Sequence, residues 1–226
     1  MRLGQLESGV LVERMNRFVA KVRTQRGEEL AHLANSGRLT DVLGRGHRLG
    51  LRRVESSSSR RTQLDVVLMQ NDAGLWVGVD TRLPPSLLLE AVQNGLVTPF
   101  GATVRIRREV TWGACRFDLA LDDWLVETKS VTLVRDGIGL FPDAPTQRGQ
   151  RHLRVLREAH ESGTPTMVAF VVQRCDAVSL TSHDDIDPAF SLQLRLAHQS
   201  GVMIRAFVSH VGLDTLYITG EIPVEI

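Results

Sequence analysis

The residues of this chain best suited to chemistry lie close together. The stretch is Phe117-Asp118-Leu119-Ala120-Leu121-Asp122-Asp123-Trp124-Leu125-Val126-Glu127-Thr128-Lys129. It reads as two short strands joined by Asp122-Asp123. A two-residue loop sets Leu121 opposite Trp124, and so Asp118 opposite Glu127. Side chains directly across an antiparallel pair are only about 5 Å apart, and like charges there repel. Lys129 is two residues past Glu127 and leans from the same face. Two opposed carboxylates beside an ammonium make a candidate site for Mg2+ or Mn2+, hard cations that take oxygen ligands. Such an ion lowers the pKa of an attacking water and stabilises charge on a phosphoryl group. The ammonium orients the water or neutralises developing charge.

Lysine usage strengthens the case for Lys129. Only Lys21 and Lys129 occur among 27 basic residues. A compact ammonium fits beside carboxylates where the larger Arg fork does not. Asp118, Glu127 and Lys129 are therefore the candidate catalytic residues, with Gln150 added because its amide could orient substrate or water. The metal set is Asp118 and Glu127, with Thr128 beside them and Glu90 and Glu109 as further carboxylates from a neighbouring helix and strand. For Glu90 the competing reading is a solvated helix face, and for Glu109 a pair with Arg107. Arg148, Arg151 and His152 are placed to contact phosphates. Asp122 and Asp123 read as solvated turn residues.

The elements around the stretch fall into two groups. Residues 9–23 are β-branched and partly alternating, with Phe18, Ala20 and Val22 on the face read as core. Further strands are expected over 29–33 and 47–54. A polar loop follows at Ser56–Ser59 with Arg60 and Arg61. Residues 64–70 and 75–79 form a hairpin around Asn71-Asp72-Ala73-Gly74. Five short strands in about 80 residues with Gly-rich turns indicate a small, OB-like barrel. After Asp80 the pattern changes. A helix is expected over 87–92, an alternating strand over 103–112, then the hairpin. Next come a helix from Pro145-Thr146 with Arg148, Arg151 and Arg154 outward, and a fully apolar strand over 166–172. Asp187-Pro188 opens a further helix. A strand over 202–209 follows, and the tail, 216–226, reads as β on an edge. The predicted domains are 1–80 and 81–226, the second a mixed sheet covered by helices. Asp, eight residues, then Glu-x-Lys on consecutive strands after a helix and a strand is the arrangement of PD-(D/E)XK nucleases.

Charge is unevenly distributed. Residues 1–61 hold 13 Lys and Arg against 6 acids, a balance of +7, and the remainder carries −6 within a net +1. A basic front half points to a polyanion partner. Arg38, Arg45, Arg48, Arg52 and Arg53 are the candidate nucleic-acid contacts there. Single-strand binders stack bases on aromatics, yet the only aromatic before Trp76 is Phe18, read as core. Duplex DNA is therefore the expected form. No apolar run approaches the roughly 18 residues needed to span a bilayer, no signal-peptide core is evident, and Cys115 and Cys175 stand alone. A cytoplasmic protein without a membrane partner is expected, and homodimerisation is left open.

At these residues the chain resembles the sugar fermentation stimulation protein (SfsA) family over essentially its whole length. The strongest match runs from Arg116-Phe117-Asp118 through Glu127-Thr128-Lys129-Ser130-Val131-Thr132-Leu133. It continues into Phe141-Pro142-Asp143-Ala144-Pro145-Thr146-Gln147-Arg148-Gly149-Gln150-Arg151-His152-Leu153. Asn35-Ser36-Gly37-Arg38-Leu39 and Val79-Asp80-Thr81 add weaker support. The chain departs from the family's usual pattern at three places. Thr128 replaces Val, with a side chain expected to face away. Gln147 replaces Glu, and Pro85 stands where Asn is expected. The resemblance implies an N-terminal OB-like β-barrel, a C-terminal PD-(D/E)XK nuclease-like α/β domain, DNA binding and a link to the regulation of sugar (maltose) metabolism. It places the nuclease-like site at Asp118, Glu127 and Lys129. The expectation is a DNA-binding protein with a metal-dependent nuclease-like site for phosphodiester hydrolysis. The alternative is a non-catalytic DNA-binding regulator on the same fold.

Overall fold

A computed structural model describes residues 1–54, 62–101 and 103–226. The loop expected over Ser56–Ser59 with Arg60 and Arg61 lies outside the described residues. The first six strands are β1 (Glu7–Asn16), β2 (Val19–Thr24), β3 (Gly27–His32), β4 (Arg48–Arg53), β5 (Leu64–Gln70) and β6 (Trp76–Gly78). Their order is β3-β2-β1-β4-β5-β6, and β3 also pairs in parallel with β5. That last pairing closes five strands into a barrel and leaves them without free edges. Leu11, Ala20, Val22, Ala31, Leu49, Leu51, Val66 and Met69 fill the interior. This is the expected OB barrel, with one correction inside residues 9–23. They are two strands, not one, turning at Arg17-Phe18. The Asn16 side chain makes the turn, its Oδ1 accepting from Phe18 N at 2.9 Å. Phe18 is consequently 48% exposed and not part of the core.

The remaining elements are α1 (Pro84–Gln93), β7 (Ile106–Trp112), β8 (Cys115–Leu121), β9 (Trp124–Val131), β10 (Leu133–Arg135), β11 (Ile138–Phe141), α2 (Gln147–Glu161), β12 (Thr166–Val172), β13 (Ser179–Ser182), α3 (Pro188–Gln199), β14 (Met203–Val211), β15 (Leu216–Ile222) and β16 (Val224–Glu225). The main sheet runs β15-β14-β12-β9-β8-β7. Strands β9, β12 and β14 are mutually parallel and the outer pairings antiparallel, which makes the sheet mixed. Strand alternation on β12 divides its side chains between two cores. Met167, Ala169 and Val171 meet Leu87, Leu88 and Val92 of α1 on one face. Val168, Phe170 and Val172 meet Leu153 and Leu156 of α2 and Phe190 and Leu194 of α3 on the other. Thr146 caps α2 by accepting from Gly149 N, and Asp187 caps α3 by accepting from Phe190 N. The result is the PD-(D/E)XK-like α/β layout. Four short strands, β10-β11-β13-β16, form an additional sheet that periodicity did not reveal.

The two halves are fastened together. Gly78 N donates to Gln173 O at 2.8 Å, and Leu3 N donates to Asp214 O at 2.7 Å. Arg174, almost fully buried, bonds Asp41 of the barrel and Asp176 of its own half. Among the described residues, no helix is long and apolar enough to cross a membrane.

Candidate active site

The hairpin registers as its spacing predicts. Leu121 pairs with Trp124, Ala120 with Leu125 and Leu119 with Val126. The ladder ends there, because Thr128 N donates to the Asp118 side chain, and Asp118 and Glu127 follow just beyond its last pair. Asp122 takes φ +51° in the turn, a conformation its short polar side chain tolerates. Its Oδ1 accepts from Arg105 N at 3.0 Å, which ties the turn to the chain entering β7.

Glu127 lies at the centre of the site and is buried. Its Oε1 accepts from Lys129 Nζ at 2.5 Å and from His152 Nδ1 at 2.5 Å. A carboxylate only accepts, so His152 presents Nδ1–H to it. Glu127 Oε2 is buried and has no hydrogen-bond partner. Asp118 Oδ2 accepts twice from one residue, from Thr128 N at 2.8 Å and from Thr128 Oγ1 at 2.5 Å. Burial pushes the Asp118 carboxyl above its ordinary value, and the Glu127 charge adds to this against the Thr128 bonds and Lys129. Burial pushes Glu127 upward too, but Lys129 and His152 outweigh it and hold that carboxyl below its ordinary value. Lys129 and His152 thus favour charge on Glu127, whereas burial, together with the Glu127 charge, disfavours it on Asp118.

A cleft of about 370 Å3 opens onto these groups. Asp118, Glu127, Thr128, Lys129 and Ser130 line it from the hairpin, and Phe141 to Thr146 with Arg148 from the segment entering α2. The barrel supplies Arg17, Asn35, Ser36 and Gly37. Two close approaches hold the barrel loop there. Asp143 Oδ2 accepts from Leu39 N at 3.2 Å. A Cβ on Gly37 would lie 2.2 Å from that same oxygen, so any side chain there would displace the Asp143 carboxylate. Asn35 shapes the loop, donating to Val79 O at 3.0 Å and accepting from Gly37 N at 2.8 Å.

The donor chemistry fits a divalent cation. Both carboxylates are hard oxygen donors, and the partnerless Glu127 Oε2 is an unsatisfied lone-pair site. Among the described residues no cluster of three or more His, Cys, Asp or Glu could hold a metal. A two-carboxylate set suits Mg2+, which keeps several waters and borrows substrate phosphate oxygens.

Several candidates from the sequence do not meet at this cleft. Glu90 bonds the Met1 ammonium and lines a separate cavity with Arg2 and Tyr217. Glu109 follows the register of Asp118, but its backbone turns to φ +53° and its exposed carboxylate lies 3.6 Å from Arg116. Gln150 Nε2 donates to Asp187 at 2.9 and 3.1 Å, joining α2 to the cap of α3. His152 is 2% exposed beneath Glu127 and is not a surface phosphate contact. Arg53 is ion-paired with Glu7 and Glu29, and Arg52 donates to Leu3 O at 3.1 Å. Arg45 and Arg48 line other concavities. Arg148 lines the cleft, Arg151 is exposed one turn further along α2, and Arg38 is exposed on the barrel loop. The Thr128 side chain does not face away, since its hydroxyl holds Asp118. Asn35, Gly37 and Asp143 had no assigned role. Their stretches stood out in the family resemblance, but the contact between them is tertiary.

An OB barrel leading into a PD-(D/E)XK nuclease-like domain is the class that strand order and hairpin define. Two family models match in the same order: the SfsA N-terminal OB domain over residues 12–79 and the sugar fermentation stimulation protein RE domain over residues 82–215. The sugar fermentation stimulation protein homolog of Acetivibrio thermocellus is 38% identical, covering 98% of this chain and 97% of that one. The homolog of Moorella thermoacetica is 39% identical with the same coverage, 98% and 97%. The structure of Pyrococcus furiosus SfsA in complex with Ca2+ superposes with a TM-score of 0.92 at 28% identity, over 100% of this chain and 98% of that one. The chain belongs to the sugar fermentation stimulation protein family.

Proposed function

We propose that this protein binds DNA along the cleft and hydrolyses phosphodiester bonds there with Mg2+ or Mn2+. The observation that carries this reading is that Asp118, Glu127 and Lys129 line one cleft, with Glu127 Oε2 buried and partnerless. Asp118, Glu127 and Thr128 are the residues that would hold the ion. When bound, it supplies an activated water and stabilisation of phosphoryl charge. The protein's own groups do the rest. Thr128 holds Asp118 in place, and His152 fixes Glu127 from below. Lys129, 11% exposed on the cleft, is placed to orient water or offset charge on a phosphoryl oxygen. Arg17 and Arg148 receive the backbone phosphates. The relative from Pyrococcus furiosus was solved in complex with Ca2+, a cation of the same oxygen-seeking chemistry, which supports this reading.

A non-catalytic DNA-binding regulator is the second reading. Glu127 Oε1 is already taken by both Lys129 and His152, leaving one oxygen of that carboxylate for an ion. Purified wild type and Lys129→Ala, incubated with plasmid and Mn2+, separate the two. The wild type is expected to nick the plasmid, and the variant to do so about 100-fold more slowly, the usual cost of losing one electrostatic group. Equal cleavage by both would mark a contaminant and remove the catalytic claim. Salt-sensitive binding without cleavage would leave the regulator.

A further inference from the structure

Resting on the DNA reading of the cleft and deepening it, we propose that the turn between β1 and β2 is a base-stacking subsite for an unpaired nucleotide. The substrate class would then be single-stranded DNA and not fully paired duplex. The turn carries two large apolar side chains outside the core, Met15 at 53% and Phe18 at 48% exposure. It is also held rigidly. Phe18 N donates to Asn16 Oδ1 at 2.9 Å, and Phe18 O accepts from Leu33 N at 2.8 Å.

Arg14 joins this turn to the cleft. Its guanidinium donates to Asn16 O and Arg17 O in the turn, at 3.2 and 2.9 Å. It also donates to Asn35 O, Gly37 O and Arg38 O in the barrel loop, at 3.2, 2.8 and 3.2 Å. Every one of these acceptors is a neutral carbonyl. Among the described residues no carboxylate lies within ion-pairing distance of Arg14, Arg17 or Arg38, although the Asp143 charge acts on Arg14 from further off. Other arginines of this chain are ion-paired: Arg53 pairs with Glu7 and Glu29, Arg82 with Asp65 and Asp80, and Arg174 with Asp41 and Asp176. Arg14 thus serves as the brace, and the exposed Arg17 and Arg38 stand in one unit with an exposed aromatic face; Arg17 of that unit lines the cleft.

Cations that receive phosphates and an aromatic that receives a base are the two parts of a single-strand platform. In a duplex the base faces are hidden by their own neighbours, and only an unpaired or extruded base presents one.

Fluorescence anisotropy in EDTA, with a labelled single-stranded oligonucleotide and the blunt duplex of the same sequence, tests this on the full chain. The wild type should bind the single strand more tightly. Phe18→Ala should weaken that binding about tenfold, as losing one stacked base does, and shift duplex binding by less than about twofold. Phe18→Trp should restore it. Arg17→Gln should weaken both forms and reduce the salt slope by about one. If Phe18→Ala affects both forms equally or neither, the subsite is wrong while the DNA reading stands. If neither form binds at low salt, the DNA reading itself fails and this inference with it. If sedimentation shows Phe18→Ala converting a dimer to a monomer, the turn is a subunit contact and the proposal is overturned.

Discussion

Replacing Asp118 by Asn should stabilise the folded protein in the absence of metal. Asp118 and Glu127 lie just beyond the last pair of the hairpin, and the Glu127 charge acts on Asp118. Two like charges about 5 Å apart repel by about 3 kcal/mol at an effective dielectric of about 20. Lys129 offsets part of this repulsion, whereas burial adds to the cost of charging Asp118. The Thr128 bonds survive the change, because a carboxamide oxygen accepts from both N–H and O–H as the carboxylate does. We therefore expect a gain of about 1–2 kcal/mol near neutral pH, measured by urea unfolding in EDTA. The pH dependence follows from the raised carboxyl. A group that holds its proton more tightly when folded destabilises the fold above its folded pKa. That penalty shrinks as pH falls and is gone below the unfolded value of about 3.9. The advantage of Asp118→Asn should shrink in step. Mn2+ should then favour the wild type, by about 2.7 kcal/mol at a hundredfold excess over its Kd, and favour the variant much less. A variant no more stable than wild type in EDTA, or an advantage undiminished in acid, would refute the opposed-charge account.

Two further predictions concern the supports of the site. Gly37→Ala should cost about 1–3 kcal/mol, because its Cβ would meet the Asp143 carboxylate, and less than about 0.5 kcal/mol in an Asp143→Ala background. Equal costs in the two backgrounds, read by urea unfolding, would show that the close approach is not the cause. Asp187→Ala should cost about 2–4 kcal/mol through a lost cap and lost charged hydrogen bonds, since Asp187 accepts from Thr146 N, Phe190 N and Gln150. Those bonds outweigh burial and hold its carboxyl below the ordinary value. The stabilisation is therefore present above the unfolded value and lost as pH falls through the folded one. A cost that stays constant through the acid range would contradict this assignment.

The parts of the fold legible in the sequence are those set by local rules. A two-residue loop dictates the pairing of Leu121 with Trp124, which brings Asp118 and Glu127 to the same end of the hairpin. An unbroken apolar run dictates that β12 is buried on both faces, and Thr146 and Asp187 announce their helices. The turn at Phe18 was hidden because Phe18, Ala20 and Val22 continue a regular alternation, and only Asn16 signals a stop. Arg53 shows a limit of charge counting. Sequence gives the sign of a charge but not whether a distant acid cancels it, and Arg53 meets Glu7 and Glu29 only once the barrel closes. Glu90 sits on a helix whose apolar face is legible, yet its partner is the chain's own N-terminus. The short strands β10, β11, β13 and β16 are too brief for periodicity to register.

The uneven charge of the chain gains a spatial meaning from the cleft. The basic first half contributes Arg17 and the Arg14-bound loop, and the second half contributes Asp118 and Glu127. For the function proposed above, either half alone would be ill suited, because carboxylates repel a polyanion and arginines alone do not hold a metal. Their spacing must therefore be fixed, and the contacts that fix it are short-range ones. The Gly37 backbone rests against Asp143, Arg174 bonds Asp41, and Gly78 bonds Gln173. A hinge between the domains would let the basic and acidic sides separate when loaded with DNA. A locked junction keeps Arg17 at a constant distance from the carboxylates, which is what the proposed positioning of a single reacting bond would demand.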